Sequence, residues 1–287
     1  MASLRHAAPA TVEGACSLLE EHGDDAAVLS GGQSLLPALR QRDLACDVLV
    51  DINDIDGRSY IEREDGELRV GCLARHADVA ASDLVAETVP ALAAAAASIG
   101  DIQVRNRGTL CGAIAQAAPR GDPPTLVSLL DTAVVATSTD GDRILDGRSF
   151  YGGEGTELED AELVSEVRFE IPGAGAGTAY EKWTPAEGSY PVAAVGALVE
   201  LDDGAVTDAR LVTGALEGAP TGMSRAAELL VGEAPTEERR AEAARTLGDD
   251  AEPAPDFEGS AEFKRELATT LAKDALDSAV ERAREGV

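Results

Sequence analysis

Two adjacent glycines directly after an apolar stretch constrain this chain more than any other feature of its sequence. Residues 26–29 have the composition of a short buried strand, and Gly31 and Gly32 follow it within the segment 28–37. Glycine tolerates positive φ and the close approach of a ligand, and the N–H groups of such a turn form a concavity that binds anions. Ser34 adds a hydroxyl to the turn. The pattern predicts a βα unit whose turn holds a phosphate of a dinucleotide.

A second glycine-containing stretch, residues 105–115, is suited to the same ligand. Gly108 and Gly112 lie on either side of Thr109, so backbone N–H groups and a hydroxyl are again available together. One glycine-rich turn usually does no more than reverse the chain direction. Two such stretches in one chain favour a shared phosphate ligand.

The balance of charge excludes two classes of partner. The chain has 53 acidic and 24 basic residues, a formal net charge of -29, and its hydrophobic content of 44% indicates a folded protein. Binding to nucleic acid or to an anionic membrane requires a basic face, so neither partner is expected. Nearly all the basic residues are arginine, because lysine occurs only at Lys182, Lys264 and Lys273. We interpret the surface as one solvated for high salt, that is, as halophilic.

Cysteine and histidine are too scattered for a metal site. An iron–sulfur cluster or structural zinc within this chain is not expected, because none of the cysteines forms a C-x-x-C pair. The cysteines are Cys16, Cys46, Cys72 and Cys111. The histidines, interpreted as ordinary surface or capping residues, are His6, His22 and His76. Without a signal sequence or a membrane-spanning apolar run, the expected location is the cytoplasm.

The first part of the chain is predicted to mix helices and strands. Thr11 caps a helix that ends at Gly23, and Asp65-Gly66 marks a hairpin within residues 60–73. Residues 77–98 are predicted to be helical with an interruption at Pro90. A short helix is predicted over 123–130, and strands are predicted over 26–29, 47–52, 133–138 and 164–171.

The glycines within residues 172–177 mark a boundary rather than a Rossmann fingerprint. Their third glycine is misplaced, and residues 178–183 read as a strand instead of a helix. We therefore predict domains over residues 1–173, with subparts of about 1–55 and 56–173, and 174–287. In the second domain, a hairpin over 192–215 precedes helices over 224–231, 236–247 and 260–284. Strands first and helices last predict an α+β arrangement.

These segments carry a resemblance to a known family. The first stretch is similar to the A-G-G-Q/H-S loop, and the second to the N-R-G-T-I-G-G-N loop, of the flavin-binding medium subunits of molybdenum hydroxylases. This group includes carbon monoxide dehydrogenase and xanthine dehydrogenase. The matching residues are Ser30 to Ser34, Asn106 to Ala113, Asp122-Pro123-Pro124, Leu158 to Pro172 and Tyr180-Glu181-Lys182. The resemblance covers essentially the whole chain.

The resemblance implies both a fold and a cofactor. The fold is α+β, with a two-part FAD-binding domain of the vanillyl-alcohol-oxidase-like type followed by a small C-terminal domain of antiparallel sheet plus helices. Both glycine stretches are implied to wrap the diphosphate and ribityl chain of FAD, with an acidic residue and a lysine close to the cofactor. Carried over position by position, the binding residues are Leu29, Ser30, Gly31, Gly32, Gln33, Ser34, Leu35, Thr109, Leu110, Cys111, Gly112, Ala113, Asp122 and Lys182.

Two positions depart from the family's second loop. Cys111 stands where a glycine is usual, and Ala113 where an asparagine is usual. If the loop requires positive φ at position 111, the cysteine costs roughly 1 kcal/mol of backbone strain. Tyr180, Trp183 and Tyr190 are expected to fill the seam between the domains, with covering the flavin ring as the second reading.

The implied function is electron transfer within a larger complex. The chain resembles a subunit that passes electrons from an iron–sulfur subunit through FAD to an external acceptor. Molybdopterin and two-iron two-sulfur clusters are expected only in the partners, a molybdenum-cofactor large subunit and an iron–sulfur small subunit of a hetero-oligomer. No catalytic side chain is predicted, because the protein's task is to hold and tune the flavin.

Two alternatives remain open at this stage. The first is a stand-alone FAD-dependent reductase or oxidase, which would need its own substrate pocket with proton donors. The second is a scaffold subunit that has lost FAD, as the residues at Cys111 and Ala113 permit. Flavin absorption by the purified chain separates the scaffold from both enzymes.

Overall fold

The computed structural model describes residues 4–152, 155–216 and 218–286. The chain begins with a three-stranded parallel sheet in the order β1-β3-β2. Its strands are β1 Arg5–Ala7, β2 Ala26–Leu29 and β3 Val48–Asp51, connected by helices α1 Val12–His22 and α2 Leu35–Gln41. The Thr11 hydroxyl accepts a hydrogen bond from Gly14 N at 3.1 Å, and α1 ends at Gly23, so the predicted helix is confirmed. The predicted run from β2 into the glycine turn is also confirmed.

A five-stranded antiparallel sheet in the order β4-β5-β10-β6-β7 follows. The strands of this region are β4 Ile61–Glu64, β5 Glu67–Gly71, β6 Thr132–Ser138, β7 Gly141–Asp146, β8 Tyr151–Gly152, β9 Gly155–Thr156 and β10 Leu163–Glu170. Asp65 and Gly66 have φ of 52° and 86° between β4 and β5, which confirms the predicted hairpin. Strand β7 was not predicted, because most of its side chains are exposed at the edge of the sheet. Its sequence therefore shows no alternation of apolar and polar residues.

Six helices connect the strands β5 and β6 of this sheet. They are α3 His76–Ala81, α4 Asp83–Thr88, α5 Pro90–Ser98, α6 Ile102–Arg105, α7 Leu110–Gln116 and α8 Asp122–Leu129. Pro90 stands in the first turn of α5, where its missing N–H has no helical partner, so the predicted interruption is confirmed. The predicted helix over 123–130 is confirmed as α8. Helix α7 lies where a glycine loop was expected.

The last part of the chain is a four-stranded antiparallel sheet covered by helices. The elements are β11 Ala176–Trp183, β12 Ala193–Asp202, β13 Ala205–Gly214, β14 Thr221–Gly222, α9 Ser224–Glu228, α10 Glu237–Asp250 and α11 Ala261–Glu285. This order confirms the α+β prediction. The glycines before β11 enter a strand, as predicted. A Cβ on Gly177 would overlap Ala279 O and lie 2.5 Å from Ala283 N, so this glycine lets α11 pack directly on β11.

The interior contains two apolar clusters that lie on opposite faces of the last sheet. The larger cluster fills the first two sheets and includes Leu126 and Leu129 of α8 together with Leu198 of β12. The second cluster lies between the last sheet and α9 to α11. Helix α8 is thus buried between the two parts of the chain, and its first residue, Asp122, lies at the seam. Within the described ranges, every helix is too short or too polar to span a bilayer.

Candidate functional site

The first glycine segment is the turn between β2 and α2. Gly32 has a φ of 71°, in the left-handed region that favours glycine, and its carbonyl accepts a hydrogen bond from Leu36 N at 3.1 Å. Gln33 is exposed, and its side-chain amide donates to Gly31 O at 3.2 Å. The Gly31 and Gly32 positions therefore bring backbone without a side chain to the cavity side of the turn.

The second glycine segment lies directly against the first. A Cβ on Gly31 would collide with Arg107 O and lie 2.6 Å from Gly108 Cα, so the backbones touch. The hydroxyl oxygens of Ser30 and Thr109 are 3.1 Å apart. Ser30 and Thr109 are 79 positions apart in the sequence. Two distant segments thus form one continuous wall.

Asn53 and Arg75 fix this contact, and sequence reasoning missed both. The Asn53 amide donates to Ser30 O at 2.8 Å. The Arg75 guanidinium donates to Asn53 Oδ1 and to Arg107 O, each at 2.6 Å. Burial, with the nearby Arg107 charge as the second cause, lowers the pKa of Arg75. No local motif identifies either residue, because their partners come from distant segments.

A cavity of about 580 Å³ opens along the joined segments. Most of the predicted binding residues line it: Ser30, Gly31, Gly32, Gln33, Ser34, Leu35, Thr109, Cys111, Gly112, Ala113 and Asp122. The other three, Leu29, Leu110 and Lys182, are not among its lining residues. Leu29 lies in β2, its carbonyl accepting from Ile52 N at 3.0 Å, and the Leu110 side chain is in the core. The volume falls within the range typical of cofactor sites.

Cys111 carries no backbone strain, contrary to the concern raised by the sequence. It lies in the first turn of α7 and is absent from the described non-glycine residues with positive φ. Thr109 caps this helix, accepting a hydrogen bond from Gly112 N at 3.1 Å. The buried Cys111 thiol donates to Val70 O at 3.6 Å, and burial raises the pKa of the thiol well above its ordinary value. A helical position needs no glycine, which explains why cysteine fits here.

Asp122 and Lys182 meet each other at the seam between the two parts of the chain. The Asp122 carboxylate accepts hydrogen bonds from Tyr180 Oη at 2.6 Å and from Lys182 Nζ at 2.7 Å. Lys182 also donates to Ser98 O at 3.0 Å. Burial first, and the Asp122 charge second, raise the pKa of Tyr180 well above its ordinary value. Tyr180 thus fills the seam between the two parts of the chain, as expected from the sequence, rather than covering the flavin ring.

The other two aromatics of that group lie nearer the surface. Tyr190 is 56% exposed and lines the cavity, and Arg120 donates to its carbonyl at 3.3 Å. Trp183 packs edge-on against Phe263, with 5.8 Å between ring centroids. Of the three, Tyr190 is therefore the one beside the cavity, and its contact with Arg120 also places it where the two parts of the chain meet.

His76 is a wall of the cavity, and its reading as an ordinary surface or capping residue was wrong. The side chain is 3% exposed, at the first position of α3. Burial lowers the pKa of His76 to about 4, so the ring is neutral at ordinary pH. Sequence reasoning looked for metal-ligand spacing and had no signal for a lone buried imidazole.

The residues around the cavity fit FAD. A side chain on Gly31 or Gly112 would push the two joined segments apart, because a Cβ on Gly31 would lie 2.6 Å from Gly108 Cα and a Cβ on Gly112 would lie 2.8 Å from Ser30 Oγ. Backbone N–H groups and hydroxyls offer donors to a diphosphate without a basic patch. The apolar side chains on the remaining walls suit a planar ring. Among the described residues there is no cluster of metal-binding side chains.

Two family models cover nearly the whole chain. The model described as FAD binding domain in molybdopterin dehydrogenase matches residues 2–172. The model described as CO dehydrogenase flavoprotein C-terminal domain matches residues 178–279.

Relatives of known function match over the same extent. The carbon monoxide dehydrogenase medium chain of Hydrogenophaga pseudoflava is 34% identical over 275 residues, 95% of each chain. The 6-hydroxypseudooxynicotine dehydrogenase complex subunit alpha of Paenarthrobacter nicotinovorans is 32% identical over 278 residues, covering 96% of this chain and 93% of the relative.

Solved structures agree with the sequence matches. A carbon monoxide dehydrogenase chain from Hydrogenophaga pseudoflava superposes with a TM-score of 0.93 at 33% identity, covering 98% of both chains. A chain of quinoline 2-oxidoreductase from Pseudomonas putida 86 has a TM-score of 0.92 at 29% identity, with the same coverage. The chain therefore belongs to the FAD-binding medium subunits of the molybdenum hydroxylase family, a family of oxidoreductases.

Proposed function

We propose that this chain passes electrons from an iron–sulfur subunit through FAD to an external acceptor. The proposal is supported by family membership and by relatives named as medium chains or as subunits of dehydrogenase complexes. Its partners would be an iron–sulfur small subunit with two-iron two-sulfur clusters and a molybdopterin-containing large subunit. The solved Hydrogenophaga pseudoflava enzyme is a carbon monoxide dehydrogenase that lacks the Mo-pyranopterin moiety of the molybdenum cofactor.

The glycine contact is the observation that carries the cofactor proposal. The backbones at Gly31 and Gly108 approach too closely for any side chain, and both segments line one cavity. The proposed FAD-binding residues are Leu29, Ser30, Gly31, Gly32, Gln33, Ser34, Leu35, Thr109, Leu110, Cys111, Gly112, Ala113, Asp122 and Lys182. For Lys182 the role would be indirect, because its ammonium is held by Asp122 and Ser98 O.

This chain's own residues bind and orient, and none is proposed to react. Bound FAD supplies the redox chemistry. The two glycine segments would hold the diphosphate, and Asn53 with Arg75 keeps those segments together. Asp122 has its negative charge balanced by Lys182, so it adds no uncompensated charge beside the cavity.

Several further features belong to the same proposal. The chain would work in a salt-rich cytoplasm, in keeping with its net charge of -29. It would form part of a hetero-oligomer and would bind neither nucleic acid nor membrane. We also propose that the domain boundary follows residue 173.

The test is purification of the native complex with identification of its companion chains, together with the flavin absorption spectrum of this chain alone. We expect about one FAD per chain and co-purification of a molybdenum subunit and an iron–sulfur subunit. A colourless chain that takes up no added FAD would point to a scaffold. A yellow chain that is reduced by NADH or a substrate without partners would point to a stand-alone enzyme.

A further inference from the structure

His76 lies where the two glycine segments meet. Its backbone N–H donates to Gly108 O at 3.0 Å. A Cβ on Gly108 would lie 2.9 Å from His76 Cδ2 and 3.3 Å from Nε2, so the Nε2 edge of the ring faces this glycine. Gly108 is also the residue that Gly31 touches from the other segment. The imidazole therefore borders the cavity at its most crowded backbone contact.

The ring has an unused hydrogen-bonding group. Nδ1 is buried and has no hydrogen-bond partner among the described residues, and the side chain is 3% exposed. A neutral imidazole carries one N–H donor and one acceptor, and a buried N–H without a partner is rarer in folded proteins than a buried acceptor without one. A proton on Nδ1 would be such a donor. The proton is therefore assigned to Nε2, the nitrogen on the Gly108 side.

We propose that the Nε2–H group of His76 donates a hydrogen bond to a diphosphate oxygen of FAD, an inference that rests on the proposed function. Phosphate oxygens only accept hydrogen bonds, and a neutral donor satisfies them without adding charge to the site. The donor would join the amides and hydroxyls of the two glycine segments. His76 is thus a cofactor-binding residue and takes no part in proton transfer.

The position of the donor on the side chain makes the proposal testable. Glutamine places its amide nitrogen near the location of Nε2, whereas asparagine places it near Nδ1, and leucine has no donor. We expect His76→Gln to keep the affinity of the apo-protein for FAD within about threefold. His76→Asn and His76→Leu should raise the Kd about tenfold or more, a loss of about 1.4 kcal/mol. Fluorescence titration of apo-protein with FAD gives each Kd, and His22→Gln, at the end of α1, is the matched control.

A second readout reports on the phosphates themselves. The ³¹P resonances of bound FAD should move between wild type and His76→Leu and stay in place in the control. Equal FAD affinity in wild type and His76→Leu, or unmoved ³¹P resonances in His76→Leu, would overturn the inference. Loss of affinity in His76→Gln equal to that in His76→Leu would also overturn it, provided that thermal melts show both variants folded. Wild-type protein that binds no FAD would instead refute the proposed function.

Discussion

Gly31 has no space for a side chain because the second glycine segment occupies it. A methyl group would collide with Arg107 O and lie 2.6 Å from Gly108 Cα. Because both contacting groups belong to the backbone, no flexible side chain can move to make room for the methyl group. Since this contact lies on the cavity wall, the identity of one residue decides whether the two segments stay joined.

We expect Gly31→Ala to push the segments apart and to lower both stability and FAD content. Overpacking of this kind costs about 1–3 kcal/mol, and the displaced amides would no longer face the diphosphate. The measurement is bound FAD per chain after gel filtration, together with the melting temperature. Gly222→Ala is the control, because its Cβ would meet no atom of the described residues within 4 Å. Wild-type FAD content and melting temperature in Gly31→Ala would contradict the packing argument.

The lowered pKa of His76 makes apo-protein stability depend on acid. Burial takes its pKa from 6.5 to about 4, so the unfolded chain binds a proton at mild acidity and the folded chain does not. Keeping His76 neutral in the folded state costs little free energy above pH 6.5, and this cost grows as the pH falls from 6.5 towards 4. Between pH 7 and pH 5 this amounts to about 2 kcal/mol.

His76→Gln should lack this part of the pH dependence. Urea unfolding of both apo-proteins gives the change in unfolding free energy between pH 7 and pH 5. The difference between the two proteins reports on His76, because the contributions of the other titrating groups cancel. Equal losses of unfolding free energy in the two proteins would show that His76 is protonated without cost in the folded state.

Sequence alone identifies the residues whose chemistry is local and misses those whose role is tertiary. The glycine pair and Thr109 follow from what such residues do in any turn or cap. His76, Asn53 and Arg75 gain their roles only from contacts with distant segments. The concern about Cys111 failed for a related reason, since the stretch read as a loop is the first turn of α7.

At the scale of elements, α8, β11 and the end of α5 are joined by one buried ion pair. Asp122 begins α8, Lys182 and Tyr180 lie on β11, and Ser98 O ends α5. The lysine and aspartate side chains are 10% and 7% exposed. Removing one partner of a buried pair leaves the other charge without compensation.

Lys182→Met should therefore destabilise the protein by roughly 3 kcal/mol or more. Asp122→Asn combined with Lys182→Met should recover part of that loss, because no uncompensated charge remains. Lys273→Met is the control and should change little, since the Lys273 side chain is 42% exposed and Asp277, its partner at 2.8 Å, keeps Arg240 as a second partner. Chemical denaturation of the four proteins tests the pattern, and a Lys182→Met variant as stable as the control would exclude a structural role for the pair.

Element prediction succeeded where periodicity or a turn signal was strong. The helix capped by Thr11, the hairpin at Asp65-Gly66 and the three C-terminal helices all have such signals. Helix α7 and edge strand β7 have none, because seven residues are too few to establish a helical period and an exposed edge strand need not alternate. The parallel sheet β1-β3-β2 was only partly predicted, since β1 has three residues.

At the scale of the whole molecule, positive charge is sparse, because 24 basic residues stand against 53 acidic ones. Each lysine of the chain forms an ion pair, through Lys182 with Asp122, Lys264 with Asp256 and Lys273 with Asp277. The net charge of -29 therefore comes from carboxylates that outnumber their partners over the surface. Their mutual repulsion opposes the folded state at low ionic strength.

We expect salt to stabilise this protein by screening that repulsion. The Debye length falls from about 10 Å at 0.1 M to about 3 Å at 1 M, so repulsion between surface carboxylates several residues apart should largely vanish. The melting temperature should rise over this range of KCl. A variant with Glu242, Glu266 and Glu281 replaced by glutamine removes three exposed charges from α10 and α11 that lie outside the ion pairs of the described residues. At 0.1 M KCl this variant should have a higher melting temperature than wild type, and its melting temperature should rise less with added KCl. Equal salt responses in the two proteins, or a wild-type melting temperature that falls with KCl, would show that carboxylate repulsion does not limit stability.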